Sequence, residues 1–215
     1  MTTTPPSARR PRRDALENRA GIIAAATAAL ALDPRASLDV IARGAGLTRR
    51  AVYGHFEDRD AIIREILAGG APRFNAIALG ISDADAPLAL ARLTARLWRE
   101  AAMVQVAAAI ALDDAHVHET ADILAPLRRV LLAIVRRGQH DGTLRDDLPA
   151  ATTARLIEET ARSVVSHLDA SSSASGPVAV KAVLGIAGLA WTESHALLAA
   201  HPDLFDEPAD AQAAA

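Results

Sequence analysis

The first third of the chain alternates short apolar clusters with capping residues. Its remainder is carried by longer apolar stretches at helical spacing. In the first predicted helix, 13–32, Leu16, Ala20, Ile23, Thr27 and Leu30 fall on one stripe. Asp33-Pro34 stops it, because a residue before proline avoids the α region. Ser37 is placed to cap a second helix whose Leu38, Ile41 and Ala42 face inward, and Gly44-Ala45-Gly46 breaks that helix. Thr48 caps a third helix. Leu47 before it and Val52 after it occupy the N′ and N4 positions of a hydrophobic staple. Val52 and Phe56, four apart, turn to the core. Asp58 caps a fourth helix bearing Ile62, Ile63, Ile66 and Leu67, which Gly69-Gly70 and Pro72 should end or kink.

Beyond that point the pattern predicts longer helices: 88–112, as one helix or as two meeting near Glu100; 121–139, stopped by His140-Asp141-Gly142; one beginning at Pro149, with Leu156, Val164, Val165 and Leu168 as its apolar positions; and an apolar last helix over 178–200. Residues 170–177 read as a flexible loop, and 206–215 as a fraying tail. No strand alternation and no internal repeat is visible. The fold class is therefore all-α, and the arrangement predicts a basic disordered arm over 1–12, a helix-turn-helix unit over 13–57 and a helical unit over 58–205.

Composition sharpens this. Of 215 residues, 51% are hydrophobic and 3% aromatic, with alanine, leucine and arginine dominant, which favours helices. The absence of cysteine excludes thiolate metal chemistry and disulfides, and a reducing cytoplasm is the expected setting. No apolar run is expected to reach the length of a membrane span, and the polar, Arg-rich start does not read as a secretory signal. The net charge of −3 hides an asymmetry: through Asp60 there are ten arginines against seven acids, and the excess of acid lies beyond. Arg9, Arg10, Arg12 and Arg13 precede any acidic residue. A basic head on an acidic body suits a chain whose N-terminal part meets an anion, although such a tail can equally be idle.

The segment 37–56, SLDVIARGAGLTRRAVYGHF, then carries the chemistry. Arg49 and Arg50 stand in the first turn of the third helix, the end that helix-turn-helix proteins present to base edges. A guanidinium fork donates two parallel bonds to guanine O6 and N7. Tyr53 and His55 are placed to donate to phosphate oxygens, and Arg59 opens the fourth helix, where an anion is also favoured. Each feature has a duller reading on its own: a helical corner without DNA, a solvated Arg pair, a half-buried tyrosine. Together they favour a DNA reader.

Residues 14–67 resemble the N-terminal domain of the tetracycline-repressor (TetR) family of bacterial transcriptional regulators. The similarity rests on Ile22-Ile23-Ala24-Ala25-Ala26, Ser37-Leu38, Ile41-Ala42, Ala45-Gly46-Leu47-Thr48, Val52-Tyr53-Gly54-His55-Phe56 and Asp58-Arg59-Asp60 with Ile62-Ile63. Residues 137–148 are similar to a turn of the family's second domain. The resemblance implies a homodimer of about nine helices per chain, probing a palindromic operator with two headpieces, in most cases as a repressor. It would extend the fourth helix towards Leu79. Carried over, the DNA-binding set is Ser37, Thr48, Arg49, Arg50, Tyr53, His55 and Arg59, with Arg49 and Arg50 on bases and Thr48, Tyr53, His55 and Arg59 on phosphates. Ala51 departs from the pattern, since many members carry a hydroxyl there.

The second half is less explicit. The helices near 149–169 and 178–200 are the dimer candidates, with Gly185 and Gly188 permitting close approach, although internal packing uses the same small residues. Trp98, Met103, Gln105 and His116 could line an effector pocket among apolar neighbours, suiting a small, mostly apolar molecule, or could simply be core. His116 and His118, with Asp113, Asp114 and Glu119, resemble a metal site only if a loop lets them converge, since neighbours two apart diverge on a helix. Neither a cofactor nor a resident metal is expected. No nucleophile elbow, phosphate-cradling loop or spaced carboxylate pair supports catalysis. An α-helical enzyme, a metal-responsive regulator and a structural dimerising module remain as alternatives.

Overall fold

The computed structural model describes residues 10–33, 35–103, 122–169 and 171–206, the side chains of 10–14 and 103 aside. Among them are nine α-helices, one 3-10 turn and no strand. The chain divides into two compact units, 1–69 and 70–215, so the division falls inside a helix at Gly69-Gly70. It does not fall at 57/58, because Ile62 joins the N-terminal core, with Ile66 packed against it.

In the N-terminal unit, α1 is Arg10–Leu32, α2 Leu38–Gly44 and α3 Arg49–Tyr53, and α4, Arg59–Leu79, begins here. Helix α1 starts at Arg10, ahead of the expected 13, with Pro11 in its first turn, where the missing N–H is harmless. Its inward stripe is Ile22, Ala26 and Leu30, of which only Leu30 was read from sequence: Leu16 and Ala20 are exposed, and Ile23 and Thr27 are half-buried. Alanines on nearly every side leave the register to tertiary contacts with Ile41, Ala42, Val52, Phe56 and Ile62. The same alanines give Ala15–Leu32 a mean hydropathy of 1.2 over 18 residues, long and apolar enough to cross a membrane, contrary to expectation. That helix contributes Ile22 and Ala26 to the core of this unit. Helix α4 runs through Gly69, Gly70 and Pro72 to Leu79, as the resemblance implied.

In the C-terminal unit, α5 is Ala86–Met103, α6 Ala125–His140, α7 Ala150–His167, α8 Ser175–Ile186 and α9 Trp191–Ala200, followed by a 3-10 turn, Pro202–Phe205. Helix α5 passes through Glu100 without a junction. The core is formed by alanines, leucines, isoleucines and valines of α5, α6, α7 and α8, among them Leu90, Val135, Ile157 and Val180. In α7 the inward positions are Thr153, Ala154, Ile157 and Val165, while Leu156, expected inside, is exposed. The expected helix over 178–200 is two helices. Gly188 adopts φ +105°, its N–H binds Gly185 O, and Leu189 N–H binds Leu184 O, which closes α8 in a Schellman turn. Gly142, φ +68°, closes α6 in the same way, with Thr143 N–H on Gly138 O. Residues 175–177, read as loop, are the first turn of α8, and the preceding segment is tied by Ser171 N–H and Oγ–H to Asp169 Oδ1 and by Ser175 Oγ–H to Asp169 O.

Candidate nucleic-acid interface

The helix-turn-helix is fixed by local chemistry. Ser37 Oγ accepts from Val40 N–H at 3.4 Å and Thr48 Oγ1 from Ala51 N–H at 3.2 Å, so both sequence-predicted caps are made. Between them α2 ends in a Schellman turn: Leu47 N–H binds Ala42 O at 2.9 Å and Gly46 N–H binds Arg43 O at 3.1 Å. This requires Gly46 at φ +67°, where a side chain would be strained. The apolar Leu47 is thereby brought against the core, in which Val52 and Phe56 are buried. These contacts set which face of α3 turns inward. Its other side, with Arg49, Arg50 and Tyr53, is exposed.

The predicted site residues divide by engagement. Arg49 Nη1 donates to Asp39 Oδ2 at 3.1 Å, and its Nη2 donates to the Tyr53 hydroxyl at 3.1 Å, with the guanidinium 5.5 Å from the Tyr53 ring centroid. The Tyr53 hydroxyl, then the Asp39 carboxylate, push the Arg49 guanidinium above its ordinary value, so it stays cationic. Arg50 is exposed, and its side chain makes no hydrogen bond or ion pair with the described residues. Ser37 and Thr48 hydroxyls serve as acceptors in caps, which leaves the proton of each to donate to a phosphate. His55 is half-buried just past α3. Arg59 Nε donates to Ala36 O at 3.0 Å, so it holds the turn before α2 in place as well as adding charge.

Arg19 escaped sequence reasoning. From α1 its Nε donates to Glu65 Oε1 at 2.9 Å, its Nη2 pairs with Glu65 Oε2, and its Nη1 donates to His55 O at 2.7 Å. The guanidinium lies 4.2 Å from the Phe56 ring centroid. One side chain thus ties α1 to α4 and to the residues closing α3. The signal was an arginine at the edge of the apolar part of the helix, three residues before the buried Ile22.

The predicted effector residues are only partly within the described structure. Trp98 is half-buried beside Ala101, Val165 and Phe74, its Cδ1 close against Gly176. The side chain of Met103, and Gln105, His116 and His118 altogether, lie outside the described residues, as does residue 9 of the basic arm. Elsewhere in this unit an open groove of about 450 Å³ lies beside α8 and α9, lined by Lys181, Gly185, Leu189, Trp191, Ser194 and His195. Trp191 is 81% exposed there. Among the described residues no cluster of His and acidic side chains could hold a metal ion.

No protein-family model matches the sequence, and no curated protein matches it either. Solved structures do resemble it. The TetR-family regulator PfmR from Thermus thermophilus has a TM-score of 0.63 at 19% identity, over 77% of this chain and 96% of that one. A bacterial regulatory protein in the TetR family from Rhodococcus has a TM-score of 0.64 at 21% identity, over 80% and 98%. The transcriptional regulator FadR from Bacillus subtilis, in complex with stearoyl-CoA, has a TM-score of 0.61 at 16% identity, over 78% and 97%. The chain has the fold of these TetR-type regulators.

Proposed function

We propose that the chain is a TetR-family transcriptional regulator: a cytoplasmic homodimer that binds a palindromic operator as a repressor and leaves it when a small, mostly apolar effector binds. The observation that carries this reading is the capped, glycine-closed corner that buries Val52 and Phe56 while leaving Arg49, Arg50 and Tyr53 exposed. This helix is capped at its start and its outer face carries Arg49 and Arg50. Arg49 and Arg50 read bases; Ser37, Thr48, Tyr53, His55 and Arg59 contact the backbone.

Dimerisation uses α7 with α8 and α9. Their outer faces carry Leu156, Val178 and Trp191, large apolar groups left exposed in the single chain, and Gly185 has open space where a Cβ would stand. The effector sits in the C-terminal unit near Trp98, with Met103, Gln105 and His116 as further contacts. Neighbours of this fold hold ligands as different as stearoyl-CoA and resorcinol, so the fold itself leaves the ligand open. An effector releases DNA only to the extent that it binds the DNA-incompetent arrangement more tightly.

The purified full chain, offered a random double-stranded library, should select a palindromic site, bind it with an affinity that falls steeply with salt, and sediment as a dimer. Absence of any preference over random DNA at low salt would end this reading. Arg49→Ala should cost about 1–3 kcal/mol on the selected site and relax preference at one base pair per half-site. An unchanged preference profile would remove Arg49 from the base contacts.

A further inference from the structure

Resting on the DNA-binding reading, we propose that Asp39 and Tyr53 are specificity-determining residues: they hold the Arg49 guanidinium in place for base readout and keep it off the phosphate backbone. The juxtaposition is direct. Asp39 lies in the first turn of α2, and its carboxylate accepts from Nη1; Tyr53, one turn along α3, accepts from Nη2 through its hydroxyl oxygen. The ring lies under the guanidinium carbon, and Asp39, Arg49 and Tyr53 are all exposed.

The donor inventory makes this arrangement useful. A guanidinium has five N–H donors, two on each Nη and one on Nε. Asp39 and Tyr53 take one from each Nη, so about three remain, and neighbouring ones can still form a parallel pair on guanine O6 and N7. The fork reaches the base already oriented, and less side-chain entropy is lost on binding. Tyr53 is left with its own O–H proton, since its oxygen is the acceptor, and can donate it to a phosphate. The Asp39 charge adds a second effect. A carboxylate at a DNA-facing surface repels any duplex, and its pairing with Arg49 keeps that charge from serving random sequences. Arg50 has no such partner among the described residues. It is the freer, less selective member of the pair.

The test uses the full chain and the duplex selected by the wild type, with each base pair of a half-site replaced in turn. Asp39→Asn should lower discrimination about tenfold at the base pair that Arg49→Ala also relaxes, leave the other positions alone, and bind random duplex as tightly as wild type or more tightly. In an Arg49→Ala background, Asp39→Asn should leave the base profile unchanged. Tyr53→Phe should lower the same discrimination while weakening random duplex as well. An unchanged Asp39→Asn profile would overturn the proposal. So would an equal loss on every sequence, which would mark Asp39 as merely structural. Failure of the wild type to select any site would overturn the regulator reading itself, a result distinguishable from either.

Discussion

The two compact units hold alanine-rich helices together by different means. In the N-terminal unit, helix starts are capped by their own side chains: Ser37, Thr48 and Asp58 each accept from a backbone N–H three residues on. In the C-terminal unit, α6, α7 and α8 start with no N-cap side-chain bond. Asp85 caps α5 and Glu193 accepts from Ala190 N–H at the start of α9, but other bonds hold α6 and the last turn. Asn75 on α4 accepts from Leu127 N–H and donates to Ile123 O at the start of α6. Gln139 donates to both Arg145 O and Leu148 O, fixing the turn after α6. Arg92 bridges Asp83 and Asp203, fastening the last turn to α5. The corner of the first unit is specified by local chemistry, whereas in the second local caps at Asp85 and Glu193 are joined by ties from far along the chain.

The strongest way to break that contrast is at Gly188. A Cβ there would lie 2.7 Å from Arg145 Cβ and 3.0 Å from Arg145 N, at a φ of +105°. Left-handed strain and overpacking together should make Gly188→Ala cost about 3 kcal/mol, read as a lowered urea midpoint. Gly185→Ala, three residues earlier and open on its outer side, should cost nothing in the single chain. If the two substitutions were equally harmful, the turn would not be what fixes α8 against Arg145.

Next in size is Arg19, a long-range polar tie in the N-terminal unit, as the bond from Arg59 to Ala36 O also is. Its side chain and that of Glu65 are more than a third exposed, so solvent screens the pair. The bond to His55 O and the contact with Phe56 add to it. Arg19→Met should cost about 1.5 kcal/mol in thermal unfolding, with Glu65→Gln costing less. Equal costs would assign the whole effect to the ion pair. Smaller again is Thr48→Ala, which removes one cap and should cost about 1 kcal/mol, whereas Thr48→Ser should restore most of it. Melting curves of the two variants decide between the cap and mere bulk.

The same division explains what could be read from the sequence. The corner from Ser37 to Phe56 was legible because its signals are local: a hydroxyl before each helix, glycine at the left-handed position, apolar residues at staple spacing. The stripe of α1 was not, since Ala20, Ala24, Ala25 and Ala26 offer no contrast and the partners that chose Ile22 and Ala26 lie far along the chain. The break at Gly188 was missed for a related reason. Glycine inside an apolar run signals either close packing or a helix stop, and Arg145, which forbids a side chain there, is distant in sequence. Of the candidate site, Arg49 and Tyr53 were legible as exposed groups on the outer side of α3. Their attachment to Asp39 was not, because ten residues and a turn separate Asp39 from Arg49.

The smallest expected effect is a pH dependence that sets the two units apart by where charge is buried. Burial pushes the Glu158 carboxyl above its ordinary value of 4.5, against the pull of Arg128, whose Nε lies 3.1 Å from Oε2. Between the unfolded and the folded pKa the native chain binds more protons, so stability should fall as pH rises through that window. Asp203, held down chiefly by its bond from Arg92, has the opposite sign: its contribution is present above its ordinary 3.8 and is lost as pH drops through its lower folded value. The two windows lie on either side of about pH 4. Glu158→Gln should therefore gain on the wild type, by about a few tenths of a kcal/mol after screening, as pH is raised from about 4.5 to about 7. Urea midpoints of both proteins across that range measure the difference. A difference that does not change with pH would mean that Arg128 cancels the burial cost, and that the C-terminal unit carries its buried charge as cheaply as the N-terminal unit carries its exposed ones.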